Sequence, residues 1–272
     1  MKKYVFIFFI CLIVFKVKGQ DLEKFNANYK VTYRLKYSPD STNIDYKSTE
    51  DFYLFIGDNK SKFLSINKKR KDSIRGEMIK NFNGSIDLTQ IKIPKTKFNE
   101  IIFKDYISDQ IKVTDRIGGD VFLYTENIAP YTWEIGQDVK IINDFKVQKA
   151  ITEFAGRKYV AWFTKEISIP EGPYKFDGLP GLIVQINDNE NHYSYQLISF
   201  EKLKEKKGIE DFDSTKSYIK TTKKGLSQTK QDFYDNPIQR IKESGLSFNL
   251  TPQDKRRIKE KYRKLNNPIE LQ

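Results

Sequence analysis

A regular alternation of apolar and polar residues is the feature that most constrains how this chain can fold. In the stretch YKVTYRLKY, at positions 29–37, every second residue is Tyr, Val or Leu, and the residues between them are Lys, Thr or Arg. Successive side chains of a β-strand point to opposite faces of a sheet. The stretch therefore predicts a strand with one buried face and one face in water.

Similar short strands follow along the chain, separated by clusters of turn-forming residues. Turns are predicted at positions 57–60, 155–157 and 187–191, each between two strand-like segments. Further short strands are predicted from Val121 and from Tyr131. Several short strands with turn signals between them are typical of an antiparallel, mainly β body rather than of βαβ units.

The C-terminal part differs in composition, and we place the end of the β body, which begins at position 20, after position 202. Residues 203–272 form a lysine-rich extension whose first part, to about Thr222, is polar as a linker or a sheet edge would be. A short helix is predicted within positions 232–243, although Pro237 weakens that prediction.

A clearer helix is predicted at about positions 252–265. Thr251 and Asp254 can complete a capping box around Pro252, which stands where helices tolerate proline. One narrow apolar stripe follows at helical spacing, formed by Ile258, Tyr262 and Leu265. We expect this stripe to pack on the β body. Peripheral contact with a membrane surface is the alternative, and three apolar residues would bury little area there.

Residues 1–19 have the pattern of a secretory signal peptide. Lysines precede an apolar run at positions 4–15, and Gly19 offers a cleavage point before Gln20. The run is too short to span a bilayer comfortably. Cleavage would remove Cys11, the only cysteine of the sequence. We therefore expect an exported protein that is periplasmic, associated with the outer membrane, or secreted.

The formal net charge of +12 would suggest a polyanionic partner if it were taken alone. The basic runs at positions 68–71 and 255–264 would be candidates for nucleic-acid binding in a cytosolic protein. Export leaves little nucleic acid to bind, so no nucleic-acid partner is expected. We interpret these runs as solvated faces, with an anionic surface or a glycan partner as the alternative.

The segment KFDGLPGLIVQI, at positions 175–186, places two glycines and a proline where a strand begins. Pro180 fixes φ and Gly181 tolerates a positive φ, so positions 179–182 predict a type II turn. Gly178 permits a bend or a close backbone approach. The hexapeptide therefore predicts a stiff structural connection. Its residues are Gly178, Leu179, Pro180, Gly181, Leu182 and Ile183.

This hexapeptide matches the signature for which the GLPGLI family is named, a family of exported Bacteroidota proteins of largely unknown function. The surroundings resemble the family pattern too, and so does the C-terminal end at positions 266–271. The resembling residues around the signature include Trp162, Gly172, Pro173 and Phe176. Members often carry a cysteine where this chain has Val147, so any disulfide that depends on it is absent.

The resemblance implies a shape and a role rather than a set of catalytic residues. A related domain resembles the bowl-like N-terminal module of some bacterial peptide:N-glycosidases, in which catalysis belongs to a separate domain. The expected fold is therefore mainly β, a curved antiparallel sheet (bowl or half-barrel) with one or two C-terminal helices. The implied role is that of an accessory protein.

Metal and nucleophilic chemistry find little support in the sequence. His192 is the only histidine, so a Ser-His-Asp site would depend entirely on it. One histidine and no cysteine in the exported chain exclude the usual zinc and copper sites. The cluster Asp188, Asn189 and Glu190 offers oxygen ligands for calcium but lacks EF-hand spacing, and it predicts a hairpin turn instead. No metal and no cofactor are expected.

Paired carboxylates are the remaining catalytic option. Glu166, Glu171 and Asp177 lie near the hexapeptide, and a glycosidase needs two carboxylates about 5 to 9 Å apart. With 36 acidic residues in the chain, such neighbours arise by coincidence. We therefore expect no catalytic residues and no enzymatic activity.

Three functional hypotheses follow from the sequence. The favoured one is a non-enzymatic accessory or interaction protein of the cell envelope, with another envelope protein as partner. The second is a carrier of an apolar ligand, for which a deep apolar cavity would be the evidence. The third is a hydrolase acting on glycan or peptide, for which two carboxylates with raised pKa in one cleft would be the evidence.

Overall fold

One open sheet contains all the strands of the described residues. The computed structural model describes residues 24–81, 91–212, 216–243 and 250–271. The strands are β1 (Lys24–Tyr37), β2 (Ser48–Gly57), β3 (Lys60–Ser65), β4 (Ile101–Asp105), β5 (Gln110–Ile117), β6 (Asp120–Asn127), β7 (Glu134–Ile142), β8 (Phe145–Phe154), β9 (Arg157–Thr164), β10 (Leu182–Asp188), β11 (Tyr193–Glu210) and β12 (Ile219–Lys220). The helices are α1 (Ile66–Lys80), α2 (Lys223–Asp235), α3 (Pro237–Glu243) and α4 (Pro252–Arg263).

Two antiparallel meanders meet at the centre of this sheet. The strand order is β12-β6-β5-β4-β3-β2-β1-β11-β10-β9-β8-β7. β1 pairs with β2 on one side and with the 18-residue β11 on the other. All these pairs are antiparallel except that of the two-residue β12, which runs parallel to β6. The predicted mainly β, antiparallel fold is confirmed.

The alternation at positions 29–37 has the predicted consequence in β1. Val31, Tyr33 and Leu35 are fully buried, whereas Arg34 and Lys36 are exposed. The pairing register shifts after Ala27. As a result, apolar side chains at the start of β1 point into a second, smaller core on the opposite face of the sheet. The sheet therefore has a large core on one face and a small core on the other.

The sheet curves around residues 165–181, here called the inner segment, which connects β9 to β10. Tyr174, Phe176 and Leu179 of this segment lie in the large core. The same core contains Ile111 of β5 and Tyr124 of β6, which belong to the other meander. Because both meanders pack on one segment, the sheet is curved, as the family resemblance implied.

The predicted turns form, but one predicted strand starts late. The three hairpins β2–β3, β8–β9 and β10–β11 enclose the turns predicted from sequence. The strand predicted from Tyr131, however, begins only at Glu134. Tyr131 leaves the sheet because its ring contacts Phe154 and Phe176, with ring centroids 5.5 and 5.6 Å away.

Helix α1 was not predicted from the sequence. It carries the basic run at positions 68–71, which we interpret from the sequence as a solvated face. That interpretation is wrong for Lys68, which is buried and pairs with Asp72. Ser65 caps its first turn by accepting a hydrogen bond from the backbone N–H of Lys68 at 3.1 Å. The sequence gives little signal for this helix because apolar residues do not recur along it at helical spacing.

The helix predicted at 232–243 is two helices. α2 begins earlier, at Lys223, and ends at Asp235, and α3 begins at Pro237. Proline is tolerated at the first position of a helix, where its missing N–H needs no partner. Pro237 therefore marks the start of α3 rather than a kink within one helix.

The helix predicted at about 252–265 is confirmed as α4, with the capping box between Thr251 and Asp254. The sequence predicts that the apolar stripe of α4 packs directly on the β body, but the stripe contacts another helix instead. Tyr262 packs on α2, with its ring centroid 5.3 Å from Phe233 and 5.5 Å from Tyr234. Helix α2 in turn contacts β5, where Lys230 Nζ lies 2.9 Å from Asp115 Oδ2.

The predicted linker after residue 202 begins as a strand. β11 continues to Glu210, and its last residues pair with the start of β1. β10 pairs with β11 only as far as Gln196, so the later half of β11 forms an edge of the sheet, which is the other expectation for this stretch. The predicted signal peptide at 1–19 lies outside the described residues. Within the described ranges, no helix combines the length and the apolar character that a membrane crossing requires.

Candidate functional site

The hexapeptide closes the inner segment with a tighter turn than predicted. Gly181 N–H donates to Leu179 O at 2.7 Å, so the turn spans three residues around Pro180. In the type II turn predicted from sequence, Leu182 N–H would donate to Leu179 O. It donates instead to Ile167 O at 3.0 Å. The type II prediction is wrong, because Gly181 has a φ of +151° where that turn needs about +80°.

The residues singled out around the hexapeptide do not all come together. Gly172 packs directly against β10, since a Cβ there would lie 2.6 Å from Ile183 Cδ1. Phe176 is fully buried, and the centroid of its ring lies 4.7 Å from the ring centroid of Tyr159. Trp162 alternates with the buried Ala161 and Phe163 along β9, and Lys140 Nζ lies 3.9 Å from its ring centroid. Pro173 is buried.

Two predicted carboxylates do meet, and a buried lysine lies between them. Glu171 and Asp177 form an isolated antiparallel bridge within the inner segment. Lys104 Nζ of β4 lies 3.1 Å from Glu171 Oε2 and 2.8 Å from Asp177 Oδ2. The hydroxyl of Tyr106 lies 2.7 Å from Glu171 Oε1 and 3.1 Å from Asp177 Oδ2. This buried cluster joins β4 to the inner segment.

The charge state of Lys104 follows from these contacts. Burial alone would lower its pKa, but attraction from Glu171 and Asp177, with their hydrogen bonds, raises the pKa above its usual value. Lys104 is therefore an ammonium at neutral pH, and the two carboxylates share its single positive charge.

A second buried cluster lies around Lys175. Its Nζ donates to Tyr124 OH at 3.0 Å and lies 2.6 Å from Glu126 Oε1 and 2.7 Å from Glu270 Oε1. Burial lowers the pKa of Lys175, but Tyr124, Glu270 and Glu126 together raise it above its usual value. Glu270 comes from the C-terminal end, so this cluster ties the end of the chain to the inner segment.

A cleft of about 580 Å³ opens beside the two clusters. Lys175 and Asp177 of the inner segment lie at its floor, and Tyr131 and Phe154 provide aromatic walls. The rest of the lining is mixed. Its charged residues are Glu126, Glu134, Glu153, Lys158 and Lys223, and its apolar residues include Ile111, Ile128 and Ile151. The cleft offers hydrogen-bonding and aromatic surface together, and we take it as the candidate functional site.

The candidate catalytic residues are engaged in other contacts. Glu166 lies apart from the cluster and accepts a hydrogen bond from the backbone N–H of Lys146 at 2.8 Å. Glu171 and Asp177 share Lys104. His192 Nδ1 lies 3.2 Å from Arg157 Nη1. Asp177 does line the cleft together with other carboxylates, but its Oδ2 lies 2.8 Å from Lys104 Nζ.

The hairpin cluster considered for calcium is stabilised by protein groups. Asp188, Glu190 and His192 have potential ligand atoms within 4.8 Å of one another. However, Asp188 is fully buried, its Oδ2 lies 3.1 Å from Arg157 Nη1, and its Oδ1 accepts from Tyr193 N–H at 2.7 Å. The guanidinium of Arg157 lies where a calcium ion would have to bind Asp188. This agrees with the prediction of a structural turn.

Several residues of the site were not singled out from the sequence. Lys104 could have been noticed, because it lies two residues after the buried Ile102 in β4 and its side chain therefore points to the same face of the sheet. A lysine on the buried face of a strand requires a charged partner. Lys175 and Glu270 gave no such signal, since the inner segment and the C-terminal end lack a regular period.

Acid is expected to weaken the cluster around Lys175. Burial raises the pKa of Glu270, but Lys175, Lys223 and Tyr174 lower it more, and the net pKa lies below its ordinary value of 4.5. The unfolded chain then binds more protons at this site, so its stabilisation is full above pH 4.5 and is lost as the pH falls through the folded pKa. The gap in unfolding free energy between wild type and Glu270→Gln should therefore narrow from neutral pH to about pH 3.

Urea unfolding at each pH measures this gap. Glu205→Gln, which removes an exposed carboxylate of β11, is the control and should change the unfolding free energy little at neutral pH. A gap for Glu270→Gln that stays constant or widens in acid would contradict the assignment.

Comparison with known proteins gives one family match and a distant structural likeness. Residues 153–185, from the end of β8 to the start of β10, match the model of a family described as "Protein of unknown function (Porph_ging)". No curated protein matches the chain. Two crystal forms of PNGF-II, in space groups C2 and P21, each align at 12% identity with a TM-score of 0.49. Each alignment covers 75% of this chain and 32% or 33% of PNGF-II, so the chain spans about a third of that protein's length.

Proposed function

We propose that this chain is an exported, non-enzymatic interaction protein of the cell envelope, and that it belongs to the GLPGLI family. The family assignment is supported by the hexapeptide at 178–183, which lies within the matched residues 153–185. Export is supported by the signal-peptide pattern at 1–19.

One observation carries the proposed role: the charged groups at the floor of the cleft are already engaged in buried ionic contacts with other side chains. Lys104 Nζ is paired with both Glu171 and Asp177, and Lys175 Nζ is paired with both Glu126 and Glu270. A hydrolase would need one of these groups free to exchange a proton with substrate. The cleft instead presents fixed hydrogen-bonding groups and aromatic walls, which is a surface suited to recognising a partner.

The carrier hypothesis has less support than the interaction hypothesis. In the part of the chain that the structure describes, aromatic core side chains such as Phe176 and Tyr159 pack on the inner face of the sheet. The cleft itself is bordered by charged residues. An apolar ligand would leave those charges without water, which is unfavourable. We therefore propose a polar segment of another envelope protein as the occupant.

Native mass spectrometry of the protein purified from the envelope of its own host tests this proposal. We expect a mass raised by a second protein. The double variant Glu153→Ala/Lys158→Ala, which removes two exposed residues at the border of the cleft, should lose that added mass. Lys204→Ala/Glu205→Ala is the matched control, because it removes one exposed lysine and one exposed glutamate from β11 at a distance from the cleft.

The other outcomes separate the alternatives. A co-purified lipid would contradict the proposal and favour the carrier. Cleavage of a peptide or glycan by the purified protein, lost on replacing Asp177 with Asn, would favour the hydrolase. A partner that both double variants retain would place the interaction elsewhere on the surface.

A further inference from the structure

A second cavity lies on the face of the sheet that carries the small core, away from the cleft. It has a volume of about 390 Å³ and lies between the first turn of α1, the end of β11 and the strands beneath them. Six cationic side chains line it, and they are Lys62, Lys68, Lys69, Arg116, Lys207 and Lys216. Two carboxylates, Asp72 and Glu210, lie beside them. We call this cavity the basic pocket.

The carboxylates of the basic pocket compensate only part of this charge. Asp72 Oδ2 lies 2.7 Å from Lys68 Nζ and 3.3 Å from Lys216 Nζ. Glu210 Oε1 lies 3.1 Å from Lys24 Nζ, outside the pocket lining, and Asp211 attracts Lys62 from nearby. The pocket therefore keeps an excess of positive charge.

Lys69 and Lys207 carry much of this excess. Both side chains are exposed, and among the described residues the structure gives neither of them an ion pair. Lys207 Nζ lies 5.7 Å from the ring centroid of Phe55, which is its contact with the pocket wall. Two lysines without carboxylate partners at the mouth of a concave site are available to a ligand.

The surroundings of the basic pocket make this concentration of charge costly. Burial, together with repulsion from Lys68 and Lys216, lowers the pKa of Lys62 to about 8, even though Asp211 and Glu210 oppose the shift. Partial burial of Lys69 lowers its pKa, and repulsion from Lys207 and Lys30 lowers it further. The first turn of α1 contains no acidic residue, although the positive end of a helix dipole favours anions. A bound anion would relieve each of these repulsions.

The floor of the basic pocket is apolar. Its residues are Phe55, Leu64, Ile101, Ile209 and Phe212, most of which belong to the small core. A ligand that fills the cavity would place its charged group among the lysines and a less polar part on this floor. Such a ligand is larger than a simple inorganic ion.

We propose that the basic pocket binds a phosphate ester, with the phosphate oxygens among the ammonium groups of Lys62, Lys69 and Lys207. Lysines bind phosphate as point charges, and each contact between ions is stronger than a neutral hydrogen bond. The phosphate belongs either to a soluble ester or to the head group of a lipid, because both present the same oxygens. This site is separate from the cleft and does not depend on the proposed function of the cleft.

Titration of the purified protein with phenyl phosphate at neutral pH and an ionic strength of about 0.15 M, followed by calorimetry, tests the shared chemistry. Flotation with vesicles of phosphatidylcholine, with and without phosphatidylglycerol, tests the lipid source. The variant Lys69→Gln/Lys207→Gln should weaken whichever binding is observed about tenfold or more. Both positions are exposed, so the variant is expected to fold, and circular dichroism checks this.

The matched control is Lys255→Gln/Lys259→Gln, which removes two exposed lysines from α4 and lowers the net charge equally. It should leave binding within about twofold of wild type, since charges beyond a Debye length are screened. Binding of phenyl phosphate alone supports a soluble ester, and binding of the anionic vesicles supports a lipid head group. The proposal is overturned if neither probe binds, or if both double variants weaken binding equally, because net charge alone would then explain it.

Discussion

Gly181→Ala is expected to destabilise the protein by about 3–5 kcal/mol. An added Cβ would lie 2.0 Å from Thr164 O and 2.7 Å from Thr164 C, both backbone atoms at the end of β9. Thr164 pairs with Leu182 at the start of β10, so neither strand can move without breaking the ladder. The φ of Gly181 is +151°, which residues with a side chain rarely adopt, and this strain adds to the clash.

Gly178→Ala is the matched comparison within the same hexapeptide. Its φ is +82°, but an added Cβ would meet Trp133 Nε1 only at 3.8 Å, an ordinary contact. Only the backbone strain remains, and the expected cost is about 1–2 kcal/mol. Urea unfolding followed by tryptophan fluorescence measures both variants. Equal losses would show that backbone conformation, and not the close approach to β9, makes Gly181 necessary.

These two glycines give the hexapeptide a physical meaning. Gly181 allows the inner segment to pass directly against β9, and Gly178 allows the chain to reverse just before it. Leu179 is buried between them, whereas Pro180 is exposed and restricts the turn. The hexapeptide therefore returns the chain from the large core to the sheet, and the two variants test how far this path depends on its glycines.

The sequence predicts most of the strands because their signals are local. The alternation in β1 and the turn residues at positions 57–60 and 155–157 depend only on neighbouring residues. The hairpins follow from the same signals, since a short turn leaves two strands no other partner. The mainly β class, the antiparallel pairing and the capped helix α4 could therefore all be predicted.

The candidate site could not be predicted to the same extent, because its residues are distant in sequence. Lys104 meets Asp177 across 73 positions, and Lys175 meets Glu270 from the C-terminal end. No periodic pattern relates such residues. Helix α1 was missed for a different reason: its charged residues surround it without an apolar stripe, so only the capping Ser65 indicates where it begins.

Lys104→Met is expected to destabilise the protein by about 3–5 kcal/mol. The side chain of Lys104 is 1% exposed, and those of Glu171 and Asp177 are 3% and 7% exposed. Methionine fills a similar volume but leaves two buried carboxylates without their cation. Removing one member of a buried ionic group costs far more than the group itself contributes, because the remaining charges stay desolvated.

The triple variant Lys104→Met/Glu171→Gln/Asp177→Asn separates charge from packing. It removes all three charges with little change in shape, and we expect it to recover at least half of the stability that Lys104→Met loses. Lys149→Met, which breaks the ion pair of Lys149 and Asp138 on the surface, should cost less than about 1 kcal/mol. Urea unfolding at neutral pH measures all three. If the triple variant were as unstable as Lys104→Met, the cluster would matter for its hydrogen bonds to the inner segment rather than for charge compensation.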